Sequence, residues 1–352
     1  MFDRKKNILV TGAKGQLGSY LVKELNKIAF KKKSIVGQVH GIDIDDLDLI
    51  DSCKVADFFN RHVVDPSVKI DYVVHCAAAT DTTAIEKDPW KYYAANVIAS
   101  KNIAESCAYN NIKLIHISTD YVFSELSPKG CGGVRIEYPI NQYGMQKLLA
   151  EKEVQAAYIN KPKDLVIGRL SWLFGNSTNS FPEKLLKSIF KTYTNAKDEG
   201  KDGIIKHMVA DDAYGRPTPT WLVLDEILQA IDTKMYGTFN FQYWENPQIS
   251  RFEWASMIWA SFCKMLESKY WQNLEKDLAE PISKHISDMT SRIELEGICS
   301  NELNLSMNHP GLVEVNTLKK NVDVYEKCTN EYIEKNHDRL IKMMVDSLKE
   351  LK

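Results

Sequence analysis

The stretch ILVTGAKGQLGS at residues 8–19 decides the fold of this chain. Its first residues form a short apolar run that predicts a buried strand, and an amphipathic helical pattern follows from Gln16. Between them stand Gly12, Gly15 and Gly18, which allow a tight turn, the close approach of a pyrophosphate and close helix–sheet packing. Backbone amides at the start of the helix then face the phosphate oxygens. Because a strand precedes the glycines and a helix follows them, the pattern predicts a dinucleotide-binding loop.

Short apolar runs alternate with longer helical patterns through the first half of the chain. The predicted strands are Asn7–Thr11, Val39–Ile44, Asp71–Ala78, Lys113–Thr119 and Leu165–Trp172. The predicted helices between them are Gln16–Phe30, Asp51–His62, Trp90–Asn110 and Tyr143–Tyr158. This alternation is typical of a parallel sheet that is covered on both faces, and right-handed crossovers make such a sheet doubly wound. We therefore expect an α/β fold.

The rhythm changes after about Gly175, and helices alternate with longer polar segments. The predicted features are a helix over Phe181–Thr194, a charged loop over Asn195–Gly203, a helix over Trp221–Ile231 and a charged helical tail over Val322–Lys352. We expect a nucleotide-binding domain over residues 1–175 and a smaller carboxyl-terminal lobe, mainly substrate-binding, over 176–352, with some later segments returning to the sheet. Trp254 and Trp259 are expected in the core of that lobe.

The composition excludes several classes of protein. The 352 residues carry a formal net charge of −2, which provides no broad basic surface for nucleic acid or an anionic membrane. No apolar run approaches the roughly 18 residues of a membrane span, and we expect no signal peptide before the first strand. The seven cysteines are scattered without a C-x-x-C pair, so neither a zinc site nor a disulfide framework is predicted. We expect a cytoplasmic protein without a metal site.

An acidic residue near the end of the second predicted strand bears on the choice of cofactor. Asp43 stands about where an acid accepts a ribose hydroxyl, which favours NADH because a 2′-phosphate would be repelled. Lys14 in the glycine loop offers a positive charge that would offset a phosphate. The sequence therefore leaves NADPH and NADH both open.

A tyrosine and a lysine stand four residues apart in the fourth predicted helix. Tyr143 and Lys147 lie on one face of that helix at this spacing. A phenol with a pKa near ~10 is a poor acid–base group at neutral pH, and a nearby ammonium stabilises the phenolate and lowers that pKa. The preceding strand ends at Thr119, whose hydroxyl could hold a substrate carbonyl. These three residues predict acid–base chemistry at a carbonyl group.

With these residues in this order, the chain resembles the extended short-chain dehydrogenase/reductases, and within them the dTDP-4-dehydrorhamnose reductase family. The motifs that carry the resemblance are ILVTGAKGQLGS (8–19), LDLID (47–51), HCAAATDT (75–82), HISTDYVF (116–123), NQYGMQKLLAE (141–151), GRLSWLFG (168–175) and DDAYGRPT (211–218). The resemblance implies a Rossmann-like fold and hydride transfer from NADPH or NADH to C4 of a nucleotide-linked 4-keto-6-deoxy sugar. The most specific substrate that it implies is dTDP-4-dehydrorhamnose, reduced to dTDP-rhamnose for polysaccharide synthesis.

The resemblance also implies a role for each matching residue. Tyr143 would deliver the proton to the developing alkoxide, Lys147 would tune Tyr143 and bind the nicotinamide ribose, and Thr119 would hydrogen-bond the carbonyl oxygen. The residues expected at the cofactor, besides Tyr143 and Lys147, are Gly12, Lys14, Gly15, Gln16, Leu17, Gly18, Asp43, Asp48, Leu49, Ala77, Ala78 and Thr80. The residues expected at the substrate are Thr119, Asp120, Tyr121, Trp172, which would pack on the sugar, and Arg216, which would meet a diphosphate.

Several alternatives stay open. A sugar 4,6-dehydratase would have glutamate where this chain has Tyr121, which disfavours that reaction, whereas a nucleotide-sugar 4-epimerase needs no such acid. The regulatory β subunit of methionine adenosyltransferase resembles the same reductases and keeps a Tyr-x-x-x-Lys, so a non-catalytic NADP-binding subunit is a third interpretation. The chain departs from the family at Ala213, at His309-Pro310 and in the length of residues 262–306, which concerns the identity of the sugar. A homodimer formed through the tail is also left open.

Overall fold

The structure is a computed structural model that describes residues 5–64, 69–124, 136–175, 180–242, 247–268, 280–298, 323–349 and 351. The departure at His309-Pro310 and much of the segment 262–306 lie outside these residues. Within the described ranges, no helix combines the length and the apolar character needed to cross a membrane.

The described strands and helices follow the predicted alternation closely in the first half of the chain. The strands are β1 (Lys6–Thr11), β2 (Val36–Ile42), β3 (Tyr72–His75), β4 (Lys113–Thr119), β5 (Leu165–Leu170), β6 (Leu173–Phe174), β7 (Ile205–Ala210), β8 (Tyr214–Gly215), β9 (Thr218–Pro219), β10 (Gly237–Asn240), β11 (Ile249–Ser250) and β12 (Ile293–Ile298). The α-helices are α1 (Gln16–Ala29), α2 (Ser52–Val64), α3 (Thr82–Lys87), α4 (Pro89–Tyr93), α5 (Ala99–Tyr109), α6 (Gln142–Ala157), α7 (Phe181–Asp198), α8 (Thr220–Thr233), α9 (Arg251–Leu266), α10 (Glu280–Arg292) and α11 (Asp323–Leu348).

Six strands form one sheet in the order β10-β5-β4-β3-β1-β2, and all neighbouring pairs are parallel. From β1 the chain moves outward to β2 and then crosses to β3 on the other side. Ligands of open α/β sheets bind beyond the carboxyl ends of the strands at such a reversal of direction. In register, Thr11 of β1 lies opposite His75 of β3, so the reversal places the glycine loop beside the segment that follows His75.

Apolar side chains cover the sheet on both faces. On one face Leu9, Val73 and Leu114 pack with residues of α2, α5 and α6, and on the other Ile8, Val10 and Val74 pack with α1 and α8. This two-sided core is why the strands are nearly continuous apolar runs. The expected doubly wound, Rossmann-like α/β fold is thereby confirmed.

The chain divides into two compact units. Among the described residues, the first unit contains those of 5–173 and 218–242, and the second contains those of 174–217, 247–298 and 323–351. The strand β10 belongs to the first unit and extends the sheet beside β5.

The second unit is built around buried aromatic side chains. Trp254 is fully buried and stacks on Phe181 with ring centroids 4.9 Å apart, and Trp259 is also buried. These positions confirm that both tryptophans belong to the core. The parallel strands β7 and β12 pair over their whole length in this unit.

The strand β2 begins and ends earlier than the predicted Val39–Ile44, and β3 ends at His75 rather than Ala78. Three further elements differ from the sequence predictions. In place of the single helix expected over Trp90–Asn110, the structure has three successive elements. These are α4, then a π-helical turn over Ala94–Ile98, and then α5. The helix α7 continues to Asp198, into the predicted loop. β5 ends at Leu170 rather than Trp172, because Trp172 adopts a left-handed φ of +37° that a strand does not allow.

Candidate active site

The glycine loop has the steric requirements that the sequence predicts. Gly12 has a φ of +68°, and a Cβ there would stand 2.8 Å from the backbone of Ala77. A Cβ on Gly18 would stand 2.1 Å from the carbonyl oxygen of Gly12. Helix α1 begins at Gln16, and among the described residues no side chain caps its amino end. The first amides of the helix are therefore suited to donate hydrogen bonds to the oxygens of a phosphate group.

A cavity of about 370 Å³ opens beside this loop in the first unit. The predicted cofactor residues that line it are Gly12, Lys14, Gly15, Asp43, Asp48, Leu49, Ala77 and Ala78. The lining residues that the prediction did not include are Ile42, Ile44, Leu47, Ile50, Cys76, Ala79, Ala95 and Ala99. A mainly apolar pocket with a few acidic groups at its edge fits an adenine ring and its ribose.

Six predicted cofactor residues are not among the lining residues: Gln16, Leu17, Gly18, Thr80, and Tyr143 and Lys147 of α6. Leu17 and Gly18 are buried in the packing of α1, so only their backbone amides are candidates for a phosphate contact. The side chain of Gln16 donates a long hydrogen bond of 3.4 Å to the Leu173 carbonyl oxygen. Thr80 is exposed, one residue beyond the lining segment.

Acidic side chains organise the mouth of the cavity. The Asp43 carboxylate accepts hydrogen bonds from the backbone amides of Lys14 at 2.7 Å and Ile44 at 2.9 Å, so it ties the loop to the end of β2. The Lys14 ammonium pairs with Asp45, a residue that the sequence reasoning did not single out. The positive charge expected to offset a phosphate is thus already matched by a carboxylate.

Two buried asparagines hold the walls of the cavity in place. Asn96, in the π-helical turn, accepts a hydrogen bond from the Ala79 amide at 2.7 Å and donates one to the Gln146 side chain at 2.8 Å. Asn102, in α5, donates to the carbonyl oxygens of Leu49 and Ile50, both at 2.9 Å. The sequence reasoning did not include these two asparagines. The signal that could have found them is an asparagine within an apolar helical pattern, because a buried amide needs hydrogen-bond partners.

Thr119 and Tyr143 meet at the carboxyl end of β4. The Thr119 hydroxyl accepts a hydrogen bond from the Tyr121 amide at 3.2 Å, and the Thr119 side chain lies close enough to the Tyr143 phenol to lower its pKa. The rings of Tyr121 and Tyr143 pack edge to face with centroids 5.7 Å apart. Burial raises the pKa of Tyr143, and the neighbouring Tyr121 and Asp120 raise it further. The Thr119 side chain opposes this rise. The phenol therefore stays protonated at neutral pH.

Lys147 is buried one helical turn beyond Tyr143. Its ammonium donates a hydrogen bond to the Ile117 carbonyl oxygen at 2.8 Å. Burial lowers the pKa of Lys147 to about 8, while the charge of Glu151 opposes that fall. The lysine thus retains most of its charge at neutral pH in a desolvated place.

Two stacked histidines lie beneath Lys147. His75 is bonded through Nδ1 to the Thr11 hydroxyl at 2.7 Å and through Nε2 to Ser100 at 3.2 Å. Burial and the Lys147 ammonium lower the pKa of His75 to about 3. His116 stacks on His75 at 5.4 Å, and neither of its ring nitrogens has a hydrogen-bond partner within the described part of the chain. Within the described residues, His75 is therefore the hydrogen-bonded member of this buried pair, and His116 is held by packing.

The remaining predicted substrate residues are divided between the units. Asp120 is buried in a 3₁₀ turn over Asp120–Val122, and Trp172 follows β5 with its carbonyl oxygen bonded to the Thr218 amide at 3.2 Å. Arg216 is half-buried and belongs to the second unit, directly after β8. The first unit therefore brings Thr119, Tyr121 and Tyr143 together.

A parallel sheet with a glycine loop at its reversal point places the first unit among the Rossmann-like nucleotide-binding domains. The family model described as "RmlD substrate binding domain" matches residues 6–284. The chain therefore belongs to this family, as the sequence motifs predicted.

Comparison with individual proteins gives the same assignment. The chain is 29% identical over 232 residues to a dTDP-4-keto-6-deoxy-D-glucose reductase of Streptomyces niveus, covering 66% of this chain and 71% of that protein. It is 31% identical over 230 residues to a dTDP-4-dehydrorhamnose reductase of Mycolicibacterium smegmatis, covering 64% of this chain and 61% of that one. A crystal structure of a dTDP-4-dehydrorhamnose reductase from Clostridium acetobutylicum superposes with a TM-score of 0.68 at 24% identity, covering 94% of this chain and 99% of that chain. This last likeness supports the fold.

Proposed function

We propose that the protein reduces the C4 ketone of a nucleotide-linked 4-keto-6-deoxy sugar with NADPH or NADH, and that its substrate is dTDP-4-dehydrorhamnose. The observation that carries the proposal is the proximity of Thr119 and Tyr143 at the carboxyl end of β4, with the buried Lys147 ammonium one turn further along α6. The family membership and the reductase names of the relatives support the choice of substrate.

The glycine loop and the cavity beside it fit a nicotinamide dinucleotide. Side chains at Gly12 and Gly18 would collide with backbone, and the adjoining apolar cavity offers space beside Asp43 and Asp48. The loop amides and the start of α1 would hold the diphosphate, while Asp48 and Leu49 would border the adenosine. When bound, a reduced nicotinamide supplies the hydride.

The chain's own residues supply the proton and hold the substrate oxygen. Tyr143 is the proton donor, because burial keeps its phenol protonated until a developing alkoxide at the sugar oxygen takes the proton. Thr119 donates a hydrogen bond to the same oxygen and, after proton transfer, to the phenolate. Lys147 stabilises the phenolate by its charge and binds the nicotinamide ribose. The hydride on C4 and the proton on oxygen together complete the alcohol.

The decisive experiment is a turnover assay with freshly generated dTDP-4-dehydrorhamnose. Loss of the absorbance of NADPH or NADH, dependent on the keto-sugar, would support the reductase and identify the preferred cofactor. A 4-epimerase would interconvert the sugars without net consumption of cofactor. Cofactor binding without turnover of any keto-sugar, together with capture of a methionine adenosyltransferase catalytic subunit, would favour the regulatory-subunit interpretation instead.

Replacement of Lys147 with alanine is expected to weaken cofactor binding and turnover together, each by about 10- to 100-fold. A hydrogen bond to a charged group contributes about 1.5–3 kcal/mol, and each 1.4 kcal/mol is a factor of ten. Titration with NADPH and NADH and steady-state kinetics measure the two effects. Lys152→Ala, on the exposed face of the same helix, is the matched control. Unchanged affinity and rate in Lys147→Ala would remove this residue from the mechanism.

We also propose a cytoplasmic location for the enzyme. The five described cysteines, Cys53, Cys76, Cys107, Cys263 and Cys328, are free thiols, as expected in a reducing cytoplasm. A homodimer through the charged tail stays a prediction, to be checked by light scattering.

A further inference from the structure

A buried ion pair lies next to Lys147 and has no part in the mechanism described so far. Glu151 follows Lys147 by four residues in α6 and has no exposed surface. Its carboxylate accepts hydrogen bonds from Arg169 Nε at 3.0 Å, from Arg169 Nη2 at 2.6 Å and from the Ser118 hydroxyl at 2.5 Å. Three donors from two strands thus fix one carboxylate under the helix.

Arg169 completes the arrangement from the sheet. It lies in β5, in register with Ser118 of β4, and is 6% exposed. Its guanidinium also donates to Glu137 at 2.7 Å and packs over the Phe123 ring at 4.8 Å. Burying a charged pair costs free energy in desolvation, so such pairs are weak evidence for a purely stabilising role.

Lys147 occupies a place where burial alone would discharge it. Lysines fully removed from water lose their proton near neutral pH unless an opposite charge is close. Among the described residues, the titratable groups that interact with Lys147 are Glu151 on α6, His75 and Cys76 at the end of β3, and His116 on β4. Arg169 and Glu137 lie beyond Glu151. On α6 itself, Tyr143 stands one turn before Lys147, with Asp120 and Tyr121 beside Tyr143, and Glu86 of α3 accepts a hydrogen bond from the Gln142 amide.

Within this set, Glu151 is the strongest influence that favours the charged form of Lys147. Its carboxylate raises the pKa of Lys147 against the effect of burial. His75 and His116 are neutral, because burial and Lys147 itself lower their pKa values. Burial raises the pKa of the Cys76 thiol to about 12, so Cys76 carries no negative charge at neutral pH.

We propose that Glu151, held by Arg169 and Ser118, is a positioning residue that keeps Lys147 charged at the carboxyl end of β4, where its ammonium is hydrogen-bonded to the Ile117 carbonyl oxygen. The proposal rests on the proposed function of Lys147. Arg169 fixes the carboxylate so that it cannot rotate away, and α6 carries Glu151 and Lys147 on one face at four-residue spacing.

The test compares the pH dependence of Glu151→Gln with that of the wild type. Glutamine keeps the shape and removes the charge, so the pKa of Lys147 should fall, and the charged form should be lost at lower pH. We expect the alkaline limb of kcat/KM to move down by about one pH unit. The pH dependence of NADPH and NADH binding, followed by nicotinamide fluorescence, should move in the same direction without any substrate present.

Two further variants separate charge from structure. Glu153→Gln removes an exposed carboxylate of the same helix, paired with Lys101 at 3.7 Å, and should leave the profile unchanged. Glu151→Asp restores the charge and should return the limb toward its wild-type position. If Glu151→Gln does not fold, Glu151→Gln with Arg169→Gln removes both buried charges, and the limb should again move down.

The outcomes distinguish this inference from the proposed function. The inference would be overturned if Glu151→Gln folds and its activity and cofactor binding keep the wild-type pH dependence. A lower thermal stability of the variant would not change that conclusion. Absence of wild-type turnover with every keto-sugar would instead contradict the proposed function. The cofactor titration would then decide the inference by itself.

Discussion

Replacement of Tyr143 with phenylalanine is expected to lower turnover by about 10²- to 10⁴-fold, the range in which a positioned acid contributes to catalysis. The phenol lies beside Thr119, and burial keeps it protonated. Phenylalanine preserves the ring that packs against Tyr121, so the site should keep its shape. Steady-state oxidation of NADPH or NADH with the keto-sugar measures the loss, and titration without sugar should show an unchanged cofactor affinity.

The matched control for this variant is Tyr158→Phe. Tyr158 follows the same helix, and its phenol donates a buried hydrogen bond of 2.7 Å to the Ile112 carbonyl oxygen, far along α6 from Tyr143. Losing that bond should cost about 1 kcal/mol of unfolding free energy and leave turnover intact. Near-normal turnover in Tyr143→Phe would show that another group delivers the proton.

Gly18→Ala is expected to weaken cofactor binding by about 10- to 100-fold. Its Cβ would stand 2.1 Å from the Gly12 carbonyl oxygen and 2.8 Å from the Gly12 carbonyl carbon. Because both atoms belong to the backbone, the loop itself must move away from the start of α1. Forced backbone shifts of this kind cost about 1–3 kcal/mol, and a loop displaced from the helix no longer presents its amides to the diphosphate. Fluorescence titration with NADPH and NADH measures the effect.

Gly15→Ala gives a graded comparison within the same loop. A Cβ there would stand 3.2 Å from the Gly12 carbonyl oxygen, a contact that small shifts relieve. Its effect on affinity should therefore be clearly smaller than that of Gly18→Ala. Equal losses in the two variants would indicate that the loop responds to any added side chain, and that the close approach at Gly18 is not the cause.

Residues whose chemistry and spacing are local could be predicted from the sequence. The glycine loop lies between a strand and a helix that are contiguous with it, and Tyr143 and Lys147 stand on one helix, where a spacing of four residues defines a shared face. The same holds for the centre of the sheet, because β1, β3, β4 and β5 are apolar runs between helical patterns, whereas the edge strand β10 (GTFN) carries no such signal. The doubly wound architecture could be expected from that alternation, whereas the strand order and the reversal beside the loop came from the structure.

Features that depend on distant partners could not be predicted in this way. The pairing of β7 with β12 joins segments about ninety residues apart, although the alternating burial of IKHMVA carries the period of a strand. Asp45 becomes important only because the turn after β2 brings it to Lys14. Glu151 appears in the sequence as one more charge on a helix, and only the register of β4 and β5 places Ser118 and Arg169 against it.

The π-helical turn over Ala94–Ile98 makes the number of residues in this segment as important as their identity. Asn96 and Asn102 hydrogen-bond two different segments that line the cavity. The π-helical turn sets the angle between these two asparagine side chains around the helix. Deleting one residue here would convert the turn to regular helix and rotate one anchor against the other by about 100°. Either Ala79 or the Leu49–Ile50 segment would then lose its amide partner. A length change of a single residue should therefore be tolerated less well than most substitutions along the same helix.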